Sequence, residues 1–154
     1  MSVPLKTRAA VTSVTVPVQV KLAAAWTSFM FLYVYVDILN FYKPGTVAGI
    51  LDGLVWKFEV SPPLITGMLV SVMIPALMVV LSVTLPARAN RIVNIVVASV
   101  YVPYSLFNIA GTTLEWLPFY VVSIGVELVL LAFIVRRAWT LVPLGASGQV
   151  VAAD

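Results

Sequence analysis

The sequence predicts an all-α integral membrane protein, a four-helix transmembrane bundle, and three observations carry that prediction. Of its 154 residues, 62% are hydrophobic and only 10% charged, against roughly 25% charged residues in an average soluble domain. Mean hydropathy is +1.08. Four windows also meet the roughly 20-residue length a bilayer crossing needs: about 22–42, 64–85, 92–112 and 116–135.

Each segment follows in order along the chain. Residues 1–20 mix small, polar and β-branched side chains with Pro4 and Pro17, and read as an extended or disordered arm rather than a cleaved leader. The membrane domain occupies 21–142. The tail, 143–154, is rich in Gly, Ala and Ser and reads as flexible. After the first span, Pro44-Gly45 opens a loop in which Val47, Ile50, Leu51, Leu54, Val55 and Phe58 fall at helical spacing. A short amphipathic helix is expected there, ending before Ser61-Pro62-Pro63, a run that cannot continue a helix. It would lie on the bundle as a lid or gate.

Lys and Arg divide unevenly between the two sides of such a bundle. Lys6, Arg8, Lys21, Arg88, Arg91, Arg136 and Arg137 fall on one side, and Lys43 and Lys57 on the other. The excess marks the cytoplasmic side, so both termini are expected there. Basic residues at span ends explain the net charge of +3 without a nucleic-acid partner. The expected partner is the lipid bilayer.

Every span carries a polar stripe on one helical face. The first aligns Trp26, Met30, Tyr33, Asp37 and Asn40; the second Gly67, Ser71, Pro75, Met78 and Ser82. The third aligns Asn94, Ala98, Tyr101, Ser105, Asn108 and Thr112, and the fourth Trp116, Tyr120, Ser123 and Glu127. Hydroxyls, amides and acids gain nothing from lipid, so these faces are expected to meet along a common axis. Asp37 and Glu127 are the sharpest functional pointers, because an acid inside a membrane is costly.

A rise of about 1.5 Å per residue places Asp37 roughly 24 Å above Lys21, level with Ser71, Asn108 and Tyr120. Glu127 comes out roughly 13 Å above Arg136, near Tyr101 and below Tyr33. Two separate sites are expected. Without a cation in its layer, Glu127 is expected to donate a hydrogen bond to a tyrosine or a carbonyl. Asp37 is expected to face Asn108 as an interhelical clamp.

Absences narrow the chemistry. With no Cys and no His, there is no disulfide framework, thiolate metal site or imidazole base, so no cofactor and no metal are expected. No Gly-rich phosphate loop occurs, and no Ser or Thr stands beside an evident base. An enzyme is the least supported class. The residues favour a structural or accessory bundle of unknown biochemical activity. The alternative is a small proton- or cation-coupled transporter, or a binder of a small or lipid-like solute, for which a homodimer would supply the missing length of path.

The run from Lys21 to Trp26, Met30 to Asp37, the exit Tyr42-Lys43-Pro44-Gly45, Pro75 with Met78, Asn90-Arg91 with Asn94, Phe119-Tyr120, Glu127 and Ala138-Trp139 resemble an uncharacterised, domain-of-unknown-function family of small four-span bacterial membrane proteins. The resemblance covers roughly residues 20 to 140. It implies a bacterial inner (plasma) membrane location and no particular activity.

Overall fold

A computed structural model describes residues 15–141, and it is dominated by helix. The elements are α1 (Val18–Asn40), α2 (Thr46–Leu51), β1 (Leu54–Val55), β2 (Phe58–Glu59), α3 (Pro62–Thr84), α4 (Ala87–Phe107) and α5 (Leu117–Trp139). Prolines set most of the starts. Pro17 precedes α1, Pro62 and Pro63 open α3, Pro86 caps α4 and Pro118 lies in the first turn of α5, positions where a missing N–H costs nothing. Helix α1 thus begins at Val18, inside the expected 1–20 arm, while residues 1–14 of that arm and the expected tail, 143–154, lie outside the described residues.

Helices α1, α3 and α5, 23 residues each, are long and apolar enough to cross a membrane. The chain is a membrane protein. Outward-facing Leu69, Leu77 and Val80 on α3, and Val122 and Val129 on α5, are exposed, as lipid-facing side chains are. Helix α4 is more polar because Arg88, Asn90, Arg91 and Asn94 fall in its first two turns. It also starts at Ala87 and stops at Phe107, five residues ahead of the expected 92–112 window at each end.

The four long helices pack as a ring in which α1 touches α3 and α5, and α4 touches α5 and α3. Side-chain bonds fix the directions. Tyr101 reaches Ser71 and Asn90 reaches Ser82, so α3 and α4 run antiparallel; Trp26 reaches Asn94 and Tyr33 reaches Tyr104, so α1 and α4 run parallel. The tightest packing joins Leu22, Trp26, Phe29, Met78, Ala98, Leu131 and Ile134, all toward the end that carries Arg91 and Arg136. This is the basic end; the other is the lidded end.

The lid departs from expectation. Helix α2 stops at Leu51, and Leu54–Val55 pair antiparallel with Phe58–Glu59, so Leu54, Val55 and Phe58 belong to a hairpin instead of a continuous amphipathic helix. Gly53, at φ 79, turns the chain out of the helix, a conformation that costs glycine little. Trp56, at φ 56, sits at the hairpin tip. It docks on the loop after α4, beside Phe107 and against Gly111.

Candidate functional site

Three polar tiers are stacked along the bundle. At the basic end Asn94 is wholly buried, 0% exposed, with its amide filled on both sides. Its Oδ1 accepts from Trp26 Nε1 at 2.7 Å and Ser82 Oγ at 3.2 Å, while its Nδ2 donates to Asn90 O at 2.9 Å and to Asn90 Oδ1 at 2.5 Å. Asn90 Nδ2 in turn donates to Ser82 O at 2.6 Å. That carbonyl would bond the N–H four residues on in a continuing helix, but residue 86 is proline and has none. The asparagine completes what the proline leaves open.

The middle tier repeats the device. Pro75 deprives Ser71 O of its helical donor, and Tyr101 hydroxyl supplies one at 2.6 Å. Ser71 Oγ donates to Met68 O at 2.7 Å, so it accepts from Tyr33 hydroxyl at 3.1 Å, and Tyr33 accepts from Tyr104 at 3.0 Å. The rings of Phe29, Tyr33, Tyr101 and Tyr104 pack on one another around this relay. Ser71 therefore lies with the tyrosines and not at the height of Asp37 and Tyr120, as helical rise alone suggested. Pro75 pulls the tier together by making its carbonyl a target.

Glu127 is 1% exposed, with Ser105 on α4 as its hydroxyl neighbour and Ser123 one turn away on α5. Glu127 Oε2 and Ser105 Oγ each lack a hydrogen-bond partner. The expected bond from Glu127 to a tyrosine or carbonyl is not made among the described residues. Ser123 Oγ turns back to Tyr120 O at 3.2 Å.

At the lidded end the bundle opens into a cavity of about 770 Å³ beneath the hairpin and the loop 108–116. Asp37, Asn40, Asn108, Glu115, Trp116 and Tyr120 contribute to its wall, with Lys43 and Trp56. Tyr120 hydroxyl donates to Asn40 Oδ1 at 2.9 Å and accepts from Lys43 Nζ at 2.9 Å. Asp37 corrects the sequence reading: it is exposed, faces this cavity rather than the interior, and shares the wall with Asn108 without a hydrogen bond to it.

Of the ten side chains singled out from the sequence, Tyr33, Tyr101, Ser105, Tyr120, Ser123 and Glu127 are buried in the bundle, and Asn40, Ser71 and Asn108 are half-buried. Tyr104, Asn90, Lys43, Glu115 and Trp56 were missed. Tyr104 sits at the edge of the stripe, Asn90 continues it four residues before Asn94 but ahead of the expected window, and Lys43, Glu115 and Trp56 lie in loops, where face periodicity carries no signal. A rule was nonetheless available: a carbonyl four residues before a helix-breaking proline is left open to a donor from another residue, which marks Ser82 O and Ser71 O, the acceptors of Asn90 and Tyr101. Among the described residues, no group of acids is placed to hold a metal ion.

Comparison with known proteins identifies no relative: no family model, no curated protein and no solved structure matches the chain.

Proposed function

We propose that the chain is a four-crossing protein of the bacterial inner membrane, with both termini in the cytoplasm, belonging with the small uncharacterised proteins it resembles. It acts as a non-enzymatic accessory protein whose polar interior holds the helices in one arrangement. The observation that carries this reading is the use to which interior polar groups are put. Asn90, Asn94, Ser82, Tyr33 and Tyr101 all bond across helices, leaving none of them free for a solute.

The same bonds support α4 as the fourth crossing, since they remove Asn90 and Asn94 from lipid. Arg91 stacks on the Trp139 ring at 4.4 Å, a pairing suited to the headgroup level. Reporter fusions test the topology. A cytoplasmic reporter is expected to be active at the C-terminus, and a periplasmic one within the loop 108–116. A periplasmic signal from the C-terminus would overturn it.

One observation favours a second reading, a binder of a small solute at the lidded end. The 770 Å³ cavity there is within the usual range for ligand sites, about 300–1,000 Å³. The basic end is closed by Leu22, Trp26, Phe29, Leu131 and Ile134, so the cavity is a vestibule rather than a channel. In nanodiscs, titrated solutes that enter it change the fluorescence of Trp116 and Trp56. Solute uptake lost in Asp37→Asn or Glu127→Gln while folding is kept would favour transport over the accessory reading.

A further inference from the structure

We infer that the vestibule is a seat for a small organic ammonium and that Lys43 is a tethered occupant which the ligand displaces; this rests on the solute-binding reading above. The structure already shows an ammonium held there. Lys43 Nζ lies 4.7 Å from the Tyr120 ring centroid and 5.4 Å from that of Trp116, and donates to the Tyr120 hydroxyl. Aromatic rings attract cations through their quadrupole, most strongly for Trp; in this two-ring cage Trp116 offers its ring and Tyr120 its hydroxyl edge.

Charge points the same way. Asp37 and Glu115 line the cavity against Lys43 alone, so once the lysine side chain leaves, the wall carries two acids and no cation. Lys43 is free to leave because it follows the last turn of α1, ahead of Pro44-Gly45, and reaches the cage only through its side chain. The remaining wall, with Ile50, Leu54, Trp56 and Phe107, suits an apolar body on the ammonium. An anion would meet both acids with a single lysine already engaged.

The geometry makes Lys43 a competitor. If its ammonium fills the cage nine-tenths of the time, removing it tightens ligand binding about tenfold, since apparent affinity scales with the competent fraction. The test uses the full chain in nanodiscs, with benzyltrimethylammonium as the cationic probe and 3-phenylpropanol as the neutral one, read by calorimetry. Circular-dichroism melts verify that each variant is folded.

Lys43→Met is expected to bind the cation about tenfold tighter, Lys43→Arg to show no gain, and Trp116→Ala to bind it at least fivefold more weakly. Equal affinity for the neutral probe overturns the ammonium assignment while leaving a solute site standing. Cation binding that is weakened by Trp116→Ala but unchanged by Lys43→Met overturns the tethered competitor. No heat from either probe in any folded variant overturns the solute-binding reading together with this inference.

Discussion

Asn94 and Tyr120 occupy opposite ends of the bundle, and Asn94 ties three other side chains together and Tyr120 two, yet the two ends use polarity differently. Around Asn94 every hydrogen-bonding position of the amide is filled by groups from α1, α3 and α4, inside a shell of fully buried Leu22, Trp26 and Ile134. Around Tyr120 the partners are a loop lysine and a half-buried asparagine beside an open cavity. Buried polar groups give rigidity when completely satisfied. Groups that keep access to solvent can exchange partners, so the first end is a lock and the second a candidate site. Glu127 and Ser105 lie between these regimes, buried as at the lock but with Glu127 Oε2 and Ser105 Oγ lacking a hydrogen-bond partner.

The lock gives the largest expected effect. Asn94→Leu removes the acceptor of Trp26 Nε1 and Ser82 Oγ and the donor to Asn90, leaving buried groups unpaired. A loss of about 2–3 kcal/mol is expected, from the desolvation penalty of orphaned polar groups. Unfolding in mixed micelles measures it. A loss no greater than that of Tyr120→Phe would mean that the two ends do not differ in the way the hydrogen bonds imply.

The lock was partly legible in the sequence and the site hardly at all, for a physical reason. Hydropathy and helical faces locate α1, α3 and α5 within a few residues and place Tyr33, Tyr101, Ser105, Tyr120, Ser123 and Glu127 inward, because packed helices obey the 3.6-residue period. At the lidded end that period stops governing the chain. Helix α4 ends at Phe107 in a series of tighter turns, Asn108 N to Ser105 O and Ala110 N to Phe107 O. Gly53 breaks the amphipathic run after α2. Asp37 was placed by a periodicity that its helix keeps while its neighbours have already diverged around the cavity.

Closure of that cavity depends on one glycine, which gives the second prediction. Gly111 has φ 78, and a Cβ there would lie 2.9 Å from Trp56 Cζ2. Gly111→Ala is expected to cost about 1–2 kcal/mol for the left-handed backbone alone. It should also lift Trp56 from its seat, giving a red-shifted tryptophan emission and faster proteolysis within residues 52–60. Adding Trp56→Ala relieves the clash but not the backbone strain, so stability should recover only in part. Full recovery would mean that φ carries no cost there, and no change at all would show that the hairpin is not held by this contact.

The smallest expected effect discriminates best between a polar group that supports the fold and one that merely lies inside it. Tyr101→Phe keeps the aromatic contacts with Trp26, Phe29 and Tyr104 and deletes only the donor to Ser71 O. About 1 kcal/mol is expected for a single bond of this kind, at the upper part of the range within membranes. Since the carbonyl needs Tyr101 only because residue 75 is proline, Pro75→Ala restores a helical N–H to the same oxygen. In the Tyr101→Phe background that second change should recover most of the lost stability, whereas in the wild-type background it should bring much less. Equal gains in both backgrounds would break the link between the kinked helix and the tyrosine tier, and the middle of the bundle would then be held by packing alone.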